Sequence, residues 1–327
     1  MNAGDELRTA VVIPCFRVSA HVLDVVEAAL RFADGVFCVD DACPEQSGRL
    51  VAANFSDARV RVLYNPENLG VGGAVKAGYR AALQAGFDIV IKLDGDGQMD
   101  AEHIPVFLAP LLEGWADYSK GNRFYELEYL KGMPTLRLLG NSLLSFFCKL
   151  SSGYWRLLDP TNGYTAIHSA ALRAIPLDKV SDRYFFESDM LFRLNIARAV
   201  VVDVPMPARY GSEQSNLKVR SIILPFLAGH VRNLGKRIFY TYFLRDFNIA
   251  SLLLITGLAL SLFGFTFGLS AWIASTQTGV TASAGTVMLA GMPALIGVQL
   301  LLSFLNYDIQ NVPTQAISSF SRHHRWR

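Results

Sequence analysis

Through its first hundred residues the chain alternates short apolar runs with longer stretches of helical periodicity. TAVVIP from Thr9, GVFCVDD from Gly35, RVRVLYN from Arg59 and FDIVIKLDGDG from Phe87 predict strands. Between them, AHVLDVVEAALRFA places Val22, Val25, Val26 and Ala29 on one helical face. A second helix is expected around residues 50–55 and a third over GGAVKAGYRAALQAG. Near-continuous apolar strands joined by helical crossovers predict an α/β fold, a mostly parallel sheet with helices on both faces. Ligands of such sheets bind at the carboxyl ends of the strands. Pro14, Asp40, Asp41, residues 65–73, Asp94 and Asp96 fall there.

Beyond Asp100 the alternation weakens and polar stretches take over: KGNRF, DPTNGYTAIHSAAL, DRYFFESDMLFRL and VPMPARYGSEQSNLK. Residues 219–247 then mix large apolar side chains with Arg220, His230, Arg232, Lys236, Arg237 and Arg245, the pattern of amphipathic helices in a membrane interface. Residues 247–307 contain no Asp, Glu, Lys, Arg or His. Within that span, residues 249–274 and 286–307 are each long enough to cross a bilayer. Positive charge flanks the pair at Arg245 and in the terminal SRHHRWR, and the intervening loop carries none, so both ends are expected in the cytosol. The expected division is a cytosolic catalytic domain over 1–218, interfacial helices over 219–247, two transmembrane helices over 248–308 and a basic cytosolic tail over 309–327.

Composition sharpens this picture only locally. Hydrophobic residues make up 51% of the chain and charged residues 18%, an apolar excess concentrated in the C-terminal third. A net charge of +2 says little about partners, and no nucleic-acid partner is expected. The four cysteines form no CxxC pair and read as reduced packing residues. The N-terminal stretch lacks the charged and apolar regions of a secretory signal.

Asp94, Asp96 and Asp100 crowd three carboxylates into LDGDGQMD. A calcium loop counted from Asp94 would need Asp or Asn, Gly and Glu where Gln98, Met99 and Pro105 stand, which excludes it. A solvated acidic turn and a divalent cation shared with nucleotide phosphates both remain. The loop after the third strand is neither a dinucleotide fingerprint, since Val75 occupies the third glycine position, nor a Walker A motif.

In order, VVIPCF, VDDACPEQSG, NPENLGVGGAVKAGYRAAL and LDGDGQMDAEHI resemble the strand ends of family 2 glycosyltransferases of the GT-A fold. With GNRF, DPTNGYTAI and VPMPARYGSEQSNLK, the resemblance narrows to the polyprenyl-phosphate branch, similar to dolichyl-phosphate mannose synthase and bacterial undecaprenyl-phosphate glucosyltransferases. It extends over nearly the whole chain. It implies inverting, metal-dependent transfer of a sugar from a nucleotide sugar, with UDP the expected nucleotide, to a polyprenyl phosphate at the cytosolic face of the inner or plasma membrane. Asp94 and Asp96 would hold Mg²⁺ or Mn²⁺. Pro14, Asp40, Asp41, Asn68, Gly70, Lys76, Asp94 and Gly95 would line the nucleotide. Arg123, Arg209, Ser212, Ser215 and Lys218 would receive the acceptor phosphate, with Asp96, Asp189 and Arg123 as the catalytic group. Where the branch commonly has Asn-Glu after a Pro-x-Tyr at the end of the first strand, this chain has Pro14-Cys15-Phe16-Arg17.

A phosphomonoester acceptor is already an anion near neutral pH. Asp189 is therefore expected to orient sugar hydroxyls or the acceptor rather than to serve as an obligatory base. Two alternatives stand: a GT-A transferase acting on a hydroxyl, and a non-catalytic membrane protein that senses nucleotide or accompanies a lipid flippase. Gly257, Gly264 and Gly268 mark a small-residue stripe through which copies of the chain would pack as a homo-oligomer.

Overall fold

A computed structural model of the protein describes residues 7–125, 135–207 and 219–324. Seven strands form one sheet: β1 (Thr9–Cys15), β2 (Gly35–Asp40), β3 (Val60–Tyr64), β4 (Ile89–Lys92), β5 (Tyr118–Asn122), β6 (Thr165–His168) and β7 (Val201–Pro205). Their spatial order is β3-β2-β1-β4-β6-β5-β7. Every pairing is parallel except those of β6 with β4 and with β5. The mostly parallel sheet read from the sequence is thus present, and the two antiparallel pairings lie where the alternation fades.

Period-two alternation decides which helix covers which face. Val11, Ile13 and Cys15 point toward α1 (Val22–Ala29) and α4 (Ile104–Leu112), joining Val22, Val25, Val26, Ile104 and Phe107 in one core. Val12 points the other way, against α3 (Val71–Gln84), where Gly78 has no side chain and the helix can lie close to the strand. Phe107 stacks on Tyr164 with ring centroids 4.0 Å apart, worth about 0.5–1.5 kcal/mol beyond simple burial. α2 (Ser47–Asn54), α5 (Thr135–Ser152), α6 (Ser169–Ala174) and α7 (Phe186–Ile196) complete the layers.

The chain divides into two compact units, one formed by residues up to Leu234 and again from Pro313, the other by Gly235–Val312. α8 (Val219–Phe239) begins in the first unit. There His230 is buried and shares a 2.8 Å hydrogen bond between its Nδ1 and Ser151 Oγ on α5, between the rings of Phe185 and Phe226. Burial lowers the His230 pKa to about 4.

The C-terminal segment from Pro313 is part of the first unit. Asp117, fully buried, accepts the backbone N–H groups of Ile317 and Ser318, each at 2.9 Å, where α11 (Ile317–His324) begins, and also that of Val200. A carboxylate on the exposed amides of a helix start satisfies donors that have no partner within the helix.

The second unit is a hairpin of α9 (Ile249–Thr278) and α10 (Ala284–Gln310), with mean hydropathies of 2.1 and 2.0 and many exposed apolar side chains. At about 1.5 Å per residue both exceed the ~30 Å of a bilayer core. Small residues form the seam. A Cβ on Gly264 would stand 2.5 Å from Ala294 N, and one on Gly257 would stand 3.0 Å from Leu301. Gly268 likewise faces Ala290. The stripe expected to join copies of the chain is occupied by contact between α9 and α10. Asp308, just beyond the uncharged span, takes a bidentate ion pair from Arg237 at 2.5 and 2.9 Å and a 2.6 Å hydrogen bond from Tyr242, all buried.

Two outcomes follow for stability. Because the folded His230 titrates below its ordinary 6.5, the unfolded chain takes up the proton first as pH falls. Stability is complete above about 6.5 and declines toward about 4, by up to about 3 kcal/mol. Thermal unfolding in detergent at pH 7.5 and pH 5 should show a larger loss for the wild type than for His230→Gln. In the hairpin, Gly264→Val should cost about 1–3 kcal/mol through overpacking. Gly291→Val, at a position with nothing within 4 Å of an added Cβ, should leave the melting curve in place.

Candidate active site

The site is built from the loops that leave the carboxyl ends of β1, β2, β4 and β5. At the end of β4 the chain turns through Gly95 and Gly97, the latter at φ +75°, a left-handed conformation that glycine adopts freely. Asp94 and Asp96 stand on either side of Gly95. A Cβ on Gly95 would lie 3.1 Å from Val18 and 3.4 Å from the carbonyl of Pro14, so this turn packs on the β1 loop. Asp96 accepts the Gln98 N–H at 3.0 Å, and Asp100 caps the short helical turn that follows by accepting from Glu102 N.

Beneath Asp94 lies Lys92, 1% exposed. Its Nζ donates to Asp94 Oδ1 at 2.7 Å and to the Gly163 carbonyl at 3.0 Å, and stands 3.8 Å from Glu187 Oε1. Burial alone would push this ammonium down, but the charges of Asp94 and Glu187 outweigh it and hold the pKa above its usual value. Burial likewise pushes Glu187 up.

At the end of β2 the two acids divide their roles. Asp40 accepts the backbone N–H groups of Cys43 and Gly48, both at 2.7 Å, and so closes the turn into α2. Asp41 holds the glycine-bearing loop: it accepts from Asn65 Nδ2 at 2.7 Å, Leu69 N at 3.0 Å and Gly70 N at 2.8 Å. Gly70 sits at φ +91°, and a Cβ there would meet the Asp182 carbonyl at 2.9 Å. The Asn68 carbonyl accepts from Arg183. Lys76 stands on α3, the helix that follows this loop. It is buried, donating to the Val180 carbonyl at 2.8 Å and pairing with Asp182 at 2.5 Å, where it ties α3 to the segment before α7.

Arg123, just after β5, is held bidentately by Asp159, Nε to Oδ2 at 2.7 Å and Nη2 to Oδ1 at 3.1 Å, with its side chain 33% exposed. Burial would raise Asp159, and the guanidinium overrides it and keeps the carboxyl below its usual range. Lys120, fully buried, donates to the Asn162 carbonyl at 2.6 Å. Burial lowers its pKa to about 8.

Asp189 stands in the first turn of α7. Its oxygens accept from Ser181 N at 2.9 Å, Asn233 Nδ2 at 3.0 Å and Arg193, all in the interior between α7 and α8. Two residues earlier in the same turn, Glu187 is the acid brought to the Lys92–Asp94 group. Arg209, Ser212, Ser215 and Lys218 lie outside the described residues.

Sequence reading missed Lys92, Lys120, Asp159 and Gly163. The one available signal was a pair of lysines inside strands otherwise made for burial. Asp94 and Asp96 offer hard carboxylate oxygens of the kind that Mg²⁺ or Mn²⁺ prefers. Asp94 Oδ2, the oxygen not bonded to Lys92, borders the space Gly163 leaves: a Cβ there would stand 3.0 Å from it and 2.5 Å from Lys92 Nζ. Among the described residues no group of three or more His, Cys, Asp or Glu converges as a metal cage. A pair of carboxylates fits a cation whose remaining positions come from phosphate and water.

Residues 10–175 match the model of glycosyl transferase family 2. The chain is 31% identical over 205 residues to an undecaprenyl-phosphate mannosyltransferase of Micrococcus luteus, covering 61% of this chain and 83% of that one. It is 28% identical over 207 residues to a polyprenol monophosphomannose synthase of Mycolicibacterium smegmatis, covering 61% and 76%. Among solved structures, glucosyl-3-phosphoglycerate synthase of Mycobacterium tuberculosis in complex with UDP superposes with a TM-score of 0.50 at 19% identity, covering 71% of this chain and 80% of that one, a likeness of fold. The acidic ends of β2 and β4 fall inside the matched segment, and the chain belongs to glycosyl transferase family 2.

Proposed function

We propose that the protein transfers a sugar from a nucleotide-sugar donor, UDP-linked, to a polyprenyl phosphate at the cytosolic face of a membrane, with inversion and with a divalent cation. The observation that carries this reading is the insertion of the apolar hairpin into the catalytic unit. The chain leaves that unit after Leu234, runs through two helices long enough to cross a bilayer, and returns at Pro313. An even number of crossings puts both ends on one side, and the positive flanks favour the cytosol. Such a tether suits an acceptor whose tail stays in lipid. The relatives named for undecaprenyl-phosphate and polyprenol substrates support the same acceptor class.

In this reading Asp94 and Asp96 hold the cation, which would neutralise the charge developing on the departing nucleoside diphosphate. Asp41 acts on the donor side by fixing the 65–70 loop, and Pro14 and Gly95 bring the β1 and β4 loops together beneath it. Arg123, oriented by Asp159, offers a planar fork suited to phosphate oxygens. Arg209, Ser212, Ser215 and Lys218 complete the acceptor group in the proposal.

No proton need leave an acceptor that arrives as a phosphate anion. Glu187 serves as counter-charge to buried Lys92, and attack at the anomeric carbon rests on positioning. A hydroxyl acceptor would instead need a base from this segment, and Glu187 is the acid facing the site.

Detergent-solubilised protein supplied with undecaprenyl phosphate and a panel of nucleotide sugars should form a lipid-linked product from one donor. Turnover should disappear with EDTA and return with Mn²⁺ or Mg²⁺, and Asp94→Asn should lower kcat at least ~100-fold. Failure of any donor to yield product would sink the transferase reading. For the acceptor class, Glu187→Gln should cost less than ~100-fold in kcat, below the usual worth of a general base. A larger loss, with kcat losing its acid limb, would favour a hydroxyl acceptor.

A further inference from the structure

Lys92 and Lys120 are the two large cations buried inside the sheet, at 1% and 0% exposure, and no step above uses Lys120. Their placement is paired. Lys92 on β4 and Lys120 on β5 are both register partners of Thr165, the first residue of β6, which runs between those strands. The lysines therefore stand at one level on either side of β6, and residues aligned across neighbouring strands share a face of the sheet. They grasp successive carbonyls of the segment that feeds β6. Lys120 Nζ takes Asn162 O at 2.6 Å, and Lys92 Nζ takes Gly163 O at 3.0 Å.

The surrounding residues are fitted to those two bonds. Gly163 cannot carry a Cβ without meeting Lys92 Nζ, and a Cβ on Gly121 of β5 would stand 2.8 Å from Asn162 Nδ2. Asn162, 4% exposed, adds bonds of its own: Oδ1 accepts Tyr164 N at 2.9 Å, and Nδ2 reaches Asp159 Oδ2 at 3.4 Å. Asp159 in turn grips Arg123. A buried ammonium is costly unless its donors are used, so two of them at one turn of backbone are retained only where that turn must be fixed. Hydrophobic residues of similar volume would fill the same space at less cost in desolvation.

We propose that Lys92 and Lys120 are positioning residues for the acceptor side of the site. They lock the 159–164 segment to the sheet so that Asp159 presents the Arg123 guanidinium at a fixed distance from Asp94. Lys92 ties the segment to the cation-binding end through Asp94 Oδ1, and Lys120 ties it to the Arg123 end. The role in acceptor binding rests on the polyprenyl-phosphate reading; the locking of Arg123 does not.

The experiment uses the full-length protein in detergent and two readouts. The first is the rate at which phenylglyoxal modifies Arg123, followed by mass spectrometry, with Arg59 as internal reference. Lys120→Met should speed modification of Arg123 several-fold and leave Arg59 unchanged. An unchanged Arg123 rate in a folded variant overturns the proposal, whatever the acceptor proves to be. The second readout is steady-state kinetics with undecaprenyl phosphate. Lys120→Met should raise the acceptor KM about 10- to 100-fold, the worth of one charged hydrogen bond, with donor KM within about 2-fold. A merely structural lysine would weaken donor and acceptor together, which also overturns it. Lys120→Met and Arg123→Ala should be strongly non-additive in acceptor KM, and additivity counts against the proposal. If Lys120→Met fails to fold, Asn162→Ala removes the side-chain link to Asp159 and must give the same selective rise. If the wild type forms no product with any lipid phosphate, the acceptor reading fails while the Arg123 modification result still decides the lock.

Discussion

One buried ammonium organises the catalytic face of this protein. Lys92 ends the central run of β4 with its Nζ bound to Asp94, to the carbonyl of Gly163 and close to Glu187. A lysine with 1% exposure persists only where opposite charge repays its desolvation, and here two carboxylates converge on it. The consequence is geometric. β4, the segment entering β6 and the first turn of α7 are fixed to a single point, so the acids nearest the candidate cation site cannot drift apart through mutual repulsion.

The other strand ends follow the same logic with backbone amides in place of a lysine. Asp40 and Asp41 are adjacent in sequence and both nearly fully buried, yet each spends its oxygens on different loops. Asp40 closes the turn into α2, whereas Asp41 draws Leu69 and Gly70 onto the end of β2. Carboxylates that accept several N–H bonds rigidify the loops they hold. Loops held this way are preorganised by the protein's own contacts.

How much was legible in the sequence depended on the range of each interaction. The strands and the acidic ends of β2 and β4 announced themselves because they are local: a few apolar residues followed by glycines and aspartates. The hairpin was legible for the same reason, since the uncharged span is continuous. The contacts of Lys76, Asp189 and Asp117 were not, because their partners are remote. Lys76 meets Val180, Asp189 meets Asn233, and Asp117 meets Ile317. Nothing near Asp189 distinguishes it from Glu187 two residues earlier; helical rotation alone turns one inward and the other to the site. The partner of the small residues of α9 was not legible for a related reason, because a stripe of glycines reports close approach of some helix without saying which.

The commitments of the acids bear on the chemistry. Asp189 is consumed by Ser181, Arg193 and Asn233, and Glu187 lies against a buried ammonium that already serves Asp94. A base that must take a proton from a hydroxyl in the transition state works best when protonation costs it little. Glu187 meets that condition only in part. Burial raises its pKa, and the Lys92 charge opposes the rise. An acceptor that brings its own negative charge asks nothing of this carboxylate except that it hold Lys92 in place. What such an acceptor does need is a fixed cation to receive its phosphate, and Arg123 is the guanidinium the fold restrains, through a buried carboxylate that leaves part of it exposed. The arrangement spends its buried charge on holding cations still, which suits transfer to a phosphate better than activation of an alcohol.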